Sequence, residues 1–133
     1  MGGPHESLDG KPHPVRVIPD NRVRSLVLLA PATFWFLPES LKEVRVPILM
    51  RTGERDELTP ALHAEAVIRG VFDPSLVEHK EIPGAGHFSF MSKFPPEMTR
   101  PDFPPSQDPE GFDREDIQPG LFSDIVDFLK RTL

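Results

Sequence analysis

Val44-Arg45-Val46-Pro47-Ile48-Leu49-Met50-Arg51 is an apolar run that passes into the polar turn Thr52-Gly53-Glu54-Arg55-Asp56-Glu57-Leu58-Thr59-Pro60. The run reads as a strand. The end of the turn reads as a helix start: Thr59 as cap, Pro60 at the first helical position, then Ala61–Arg69, with Gly70 as the stop. Upstream, Ser25-Leu26-Val27-Leu28-Leu29-Ala30-Pro31-Ala32 is almost continuously apolar, the pattern of a parallel strand covered on both faces. Downstream, Leu76-Val77-Glu78-His79-Lys80-Glu81-Ile82-Pro83 alternates, as a strand near a sheet edge does. The chain closes on Leu121, Ile125, Leu129 and Leu133 at intervals of four, flanked by Phe122, Val126 and Phe128. That spacing predicts an amphipathic helix over 121–133 with a wide apolar face. Strand, connection, strand, helix, strand, helix is the order of an α/β fold with parallel strands. The first strand has no equal before it, since Val15-Arg16-Val17-Ile18 is short and hemmed in by prolines. The sheet is therefore expected to expose an unpaired apolar edge there, open to a second copy of the chain.

Composition narrows the function. The 133 residues carry 21 acidic and 15 basic side chains, a net charge of −6, which disfavours nucleic-acid binding because phosphate contacts need a basic surface. With no cysteine there are no disulfides, thiolate metal sites or thiol nucleophiles. No apolar run approaches the 18 or so residues that span a bilayer, and Met1-Gly2-Gly3-Pro4 resembles neither a signal peptide nor, with Glu6 at the sixth position, a myristoylation site. A soluble cytoplasmic protein is the expectation. Proline, at 17 residues, is about two and a half times its average frequency. It clusters in Pro4–Pro19 and Pro95–Pro109, where neither helix nor central strand is expected. Residues 1–21 then form an irregular leader, 22–133 one domain, and 94–112 a long loop that is either a lid or wall over the site or a surface excursion.

Chemistry gathers in two loops, each directly after a predicted strand: Thr52–Pro60, and Pro83-Gly84-Ala85-Gly86-His87-Phe88-Ser89-Phe90. In open α/β sheets functional groups collect at the carboxyl ends of strands. Asp56 delivered beside His87 can hold one ring nitrogen, fix the tautomer and stabilise the imidazolium. The glycines around His87 allow the backbone to turn sharply. By spacing alone the pair is unspecific, and Gly53-Glu54-Arg55-Asp56 reads equally as a polar turn ahead of the helix.

Leu28-Leu29-Ala30-Pro31-Ala32, Val46–Asp56 with Thr59-Pro60, and Pro83–Phe88, in this order, resemble the C-terminal half of α/β-hydrolases, in particular the dienelactone-hydrolase-like predicted esterases. The resemblance covers roughly residues 22–133 and includes a closing amphipathic helix. It implies a partial α/β-hydrolase fold, the last parallel strands with their helices, with Asp56 as triad acid and His87 as triad base acting on carboxylic esters or related acyl substrates. It implies no cofactor. The serine of such a triad sits in a Gly-x-Ser-x-Gly elbow. None of Ser7, Ser25, Ser40, Ser75, Ser89, Ser92, Ser106 and Ser123 has glycine two residues before and two after. The oxyanion-hole loop also has no counterpart. The chain is thus expected to be inactive alone and to need the N-terminal half for turnover.

Other residues rank lower. Ser89, two residues from His87, reads as a loop hydroxyl bonding its own backbone. His63 and Glu65 are two apart on one helix and do not share a face. His5, His13 and His79 read as solvated, and no metal site is expected. Thr33-Phe34-Trp35-Phe36-Leu37, with Phe88, either lines a substrate pocket, chiefly through Phe34, Trp35 and Phe88, or packs in the ordinary way. Two further readings stay open: a non-catalytic module that self-associates through the first strand, and a different site in which Glu54, Glu57 or Asp56 beside His87 activates water.

Overall fold

The structure is a computed structural model that describes residues 18–133 in full and, ahead of them, the backbone of Pro4–Glu6 and Pro12–Pro14. These two segments, β1 (Pro4–Glu6) and β2 (Pro12–Pro14), pair antiparallel with His5 opposite His13. The leader, expected to be irregular, thus holds a two-stranded ribbon. Proline is tolerated in it because each strand of a ribbon has an open side where a missing N–H is not needed. Most of Val15–Ile18 lies outside the described residues.

The main sheet has three parallel strands in the order β3 (Leu26–Leu29), β4 (Ile48–Gly53), β5 (Val77–Ile82). Leu26 lies opposite Ile48, and Ile48 opposite Val77. Every residue of central β4 is buried, whereas β3 is only half-buried and β5 is exposed over Glu78–Glu81. β3 lies at the sheet edge, as the lack of an equal strand before it predicts, with β4 its one partner among the described residues; its residues are half-buried, where full apolarity predicts cover on both faces. The connection from β4 to β5 carries α1 (Leu62–Gly70). Helix α1 packs on one sheet face, where Leu41, Ile48, Met50, Ala64, Val67 and Val71 form the core, with Leu26, Leu28 and Val77 packed against it.

The strand alternation turns Val27, Leu29, Leu49 and Arg51 to the other face. There α2 (Arg114–Thr132) buries Leu121 and Phe128, and Arg51 reaches its Asp124 at 3.4 Å. Helix α2 begins seven residues before the apolar stripe predicts. Asp113 caps it by accepting from Glu115 N–H at 2.9 Å, and Glu115 and Asp116 complement the positive end of the dipole. Pro119 sits inside the helix, in its second turn. Of the three residues flanking the stripe, Phe128 is buried while Phe122 and Val126 stay exposed, so the covered face is narrower than the periodicity suggests. Among the described residues no helix is long and apolar enough to cross a membrane.

Candidate active site

The loops after β4 and β5 are stitched together by their backbones. Glu54 N–H donates to Ile82 C=O at 3.1 Å, and Arg55 N–H to Ala85 C=O at 2.8 Å. The contact requires glycine at 53, where a Cβ would stand 2.5 Å from Ala85 O. Gly84 supplies the turn, at φ +77°, and its N–H donates to Glu54 Oε1 at 3.1 Å. Two loops from adjacent parallel strands are held in register in this way before either candidate side chain, Asp56 or His87, is placed.

The stitching sets Asp56 Oδ2 2.8 Å from His87 Nδ1. The Asp56 side chain is 1% exposed and that of His87 26%, so the carboxylate is enclosed while the ring reaches the surface. Bonds within its own loop fix Asp56 further. Leu58 N–H and Thr59 N–H donate to Oδ1 at 2.9 and 2.7 Å, Thr59 O–H donates to Oδ2 at 2.7 Å, and the Asp56 N–H reaches back to Gly53 C=O at 3.2 Å. Burial alone pushes the Asp56 carboxyl up. The bonds from Thr59 N–H, His87 and Thr59 O–H, with the attraction of the imidazolium, outweigh burial and hold it below its ordinary value. An ionised Asp56 makes Nδ1 the protonated nitrogen of neutral His87. Nε2 is then a lone-pair acceptor, with no hydrogen-bond partner among the described residues. That is the arrangement of a general base and its orienting acid.

Ser89 is not turned toward this base. It is fully buried, its Oγ accepts from Gly86 N–H at 2.9 Å and donates to Asp108 Oδ1 at 2.7 Å. Asp108 is in turn gripped by the buried Arg114, through the guanidinium at 3.1 Å and the backbone N–H at 3.0 Å. Arg114 also donates to the carbonyls of Gln107 and Met91. This lock joins the His87 loop, the proline-rich loop and the start of α2. Gly86 is needed here for space, since Pro109 lies 3.0 Å from where its Cβ would be. With Arg55 donating to Glu110 C=O at 3.1 Å and Phe112 packed against Gly84, the 94–112 loop is a wall behind the His87 loop.

Phe88 meets His87 edge-on, ring centroids 5.1 Å apart. Phe34 and Trp35 are 68% and 72% exposed and form an open apolar surface. The cause is their position beyond the uncovered edge strand β3. Phe34 packs edge-on against His63, a buried residue whose Nδ1 accepts from Thr33 N–H at 2.9 Å and meets Thr33 Oγ1 at 2.8 Å. His79 stays exposed on β5 with Nε2 2.8 Å from Thr52 Oγ1. Among the described residues no three His, Asp or Glu side chains cluster as metal ligands do.

Thr59 is the residue the sequence reading misplaces. It is expected as the helix cap, but the cap of α1 is Ala61, and the Thr59 side chain turns into the site instead. The Ser89–Asp108–Arg114 lock is the other feature missed: its members lie up to 25 positions apart and carry no short-range signal. Comparison of the chain with protein-family models, with curated proteins and with solved structures finds no match.

Proposed function

We propose that this chain carries the acid and base of a serine hydrolase of the α/β-hydrolase type, similar to dienelactone-hydrolase-like esterases, with the nucleophile supplied from outside these residues. The observation that carries this is the enclosed Asp56 carboxylate 2.8 Å from Nδ1 of a His87 whose ring reaches the surface at the carboxyl edge of a parallel sheet. In the complete site, His87 Nε2 takes the proton of the serine hydroxyl as its oxygen bonds to the ester carbonyl carbon. It then returns that proton to the departing alcohol, and water releases the acyl group by the same route. Asp56 stays ionised throughout and orients the ring. The substrate is a small carboxylic ester or related acyl compound.

The open edge of β3 favours a second reading, in which the chain is a non-catalytic module paired with its own copy. Ester turnover and light scattering on the purified chain test both. The first reading expects a monomer with no turnover of p-nitrophenyl acetate. Adding an N-terminal hydrolase half with a Gly-x-Ser-x-Gly elbow then produces turnover that the His87→Ala chain cannot support. Turnover by the chain alone, lost in His87→Ala, would overturn it, because the attacking group would then lie within these residues. A stable dimer, inert to any added half, selects the second.

A further inference from the structure

One hydroxyl, that of Thr59, reaches groups from all three strand ends. It donates to Asp56 Oδ2 at 2.7 Å, lies 3.0 Å from His87 Nδ1, and stands 3.4 Å from Ala30 C=O at the end of β3. Thr59 is buried, and its N–H donates to the other carboxylate oxygen, Oδ1, at 2.7 Å. One residue thus grips both oxygens of Asp56, which fixes the plane of the carboxylate and turns Oδ2 toward the imidazole. A hydroxyl serving only to cap or brace the loop has Ala30 C=O available; the short bond goes to the carboxylate instead. With its proton committed to Oδ2, the oxygen presents lone pairs to His87 Nδ1–H, which then lies over two acceptors, Oδ2 and Oγ1.

Resting on the acid–base reading above, we infer that Thr59 is the positioning residue of the pair: its hydroxyl aims the Asp56 carboxylate at His87 and shares the Nδ1 proton. The other charged groups of these loops are turned elsewhere, Glu54 to Gly84 N–H and Arg55 to Glu110 C=O. His87 is the one titratable side chain bonded to Asp56 among the described residues.

The test is NMR on the isolated chain, following the Asp56 carboxyl carbon against pH and the His87 Nδ1–H proton. Thr59→Val keeps shape and burial but removes the donor. It is expected to raise the Asp56 midpoint by roughly one to two pH units, the worth of one lost hydrogen bond to the ionised form, and to speed exchange of Nδ1–H. Thr59→Ser restores both. Should Thr59→Val fail to fold, Thr59→Cys, similar in size and a weak donor, is read in its place, with a smaller shift in the same direction. A folded Thr59→Val or Thr59→Cys chain with unchanged midpoint and unchanged Nδ1–H exchange overturns the inference. Asp56→Ala on the same chain separates the two levels. If Asp56→Ala, which removes the acceptor, leaves Nδ1–H protected, the acid–base pair itself fails; if it exposes Nδ1–H while Thr59→Val does not, the role of Thr59 alone fails.

Discussion

The two outer strands of the sheet are opposites. β5 presents Glu78, His79, Lys80 and Glu81 to solvent, and its charges are used: Arg131 pairs with Glu78 at 3.0 Å, and Arg51 donates to Glu78 C=O at 3.0 Å. Beyond its end, the Ser89–Asp108–Arg114 lock fastens the His87 loop to α2. β3 is Leu-Val-Leu-Leu, without a charge. Leu26 and Ala30 N–H donate toward β4, so the alternating pattern leaves the backbone groups of Val27 and Leu29 facing the open side. Past its end stand Ala30 at φ +50° and the exposed Phe34 and Trp35. A left-handed alanine costs on the order of 1 kcal/mol; here the bond from Ala30 N–H to Arg51 C=O at 2.9 Å holds it. Charged residues are one way proteins blunt a sheet edge, and an uncharged apolar edge is a template for pairing; among the described residues nothing pairs with this one. The difference teaches where the site is complete. The paired Asp56 and His87 follow β4 and β5, and the open side borders them at Ala30, whose carbonyl is 3.4 Å from Thr59 Oγ1; on the hydrolase reading proposed above, that is the side from which an attacking group would come.

The largest effect that can break this contrast lies in the lock. Arg114→Ala leaves Asp108 enclosed with Ser89 and no cation, and removing one member of a buried ion pair costs about 3–5 kcal/mol. Urea unfolding followed by circular dichroism is expected to show the midpoint fall accordingly. A loss below about 1 kcal/mol would mean that the β5 side is no more finished than the β3 side.

How much of this is legible from residues alone depends on the range of the interactions. The three strands announce themselves because apolar runs and alternation are local, and α1 because Pro60 and Gly70 bracket it. The start of α2 lies outside the apolar stripe that predicts its end; the Asp113 cap and the anchoring of Arg114 carry the chain through the first turn. Asp56 and His87 are readable as loop residues after strands, but their pairing depends on Gly53 meeting Ala85, a contact across 32 positions. Thr59 reads as a cap because Thr before Pro usually is one. Its hydroxyl goes instead to the nearest strong acceptor, an ionised carboxylate three residues back. The exposure of Phe34 and Trp35 depends on what lies beside β3, and apolar composition is the same for a core and for an interface.

A smaller effect sharpens the contrast from the finished side through pH. The Asp56 carboxyl is held below its ordinary 3.8. A depressed folded value means the bonded carboxylate stabilises the fold in full above that ordinary value, and the contribution is lost as pH falls through the folded one. Asp56→Asn is expected to cost about 1.5–3 kcal/mol at neutral pH, the range for hydrogen bonds to a charged group. It is also expected to flatten the part of the acid limb below pH 3.8 that belongs to Asp56. Parallel acid limbs in the two chains would show that Asp56 is not held ionised by its neighbours.

The smallest expected effect tests the open side. Trp35 is 72% exposed and its one aromatic neighbour among the described residues is Phe34, at 5.9 Å between centroids. Exposed substitutions that break no special feature stay within about 0.5 kcal/mol, so Trp35→Ser is expected to leave the urea midpoint of the isolated chain almost unmoved while improving its solubility. The two margins then differ in what they give the isolated chain: the charged one stabilises the fold and the apolar one hardly does. If Trp35→Ser instead destabilises the chain by more than about 1 kcal/mol, twice that range, and the loss shrinks on dilution, as the wild-type chain gives up its own association, Trp35 is already buried in solution against a second copy. The apolar margin would then be occupied, and the nucleophile would have to reach His87 past that copy.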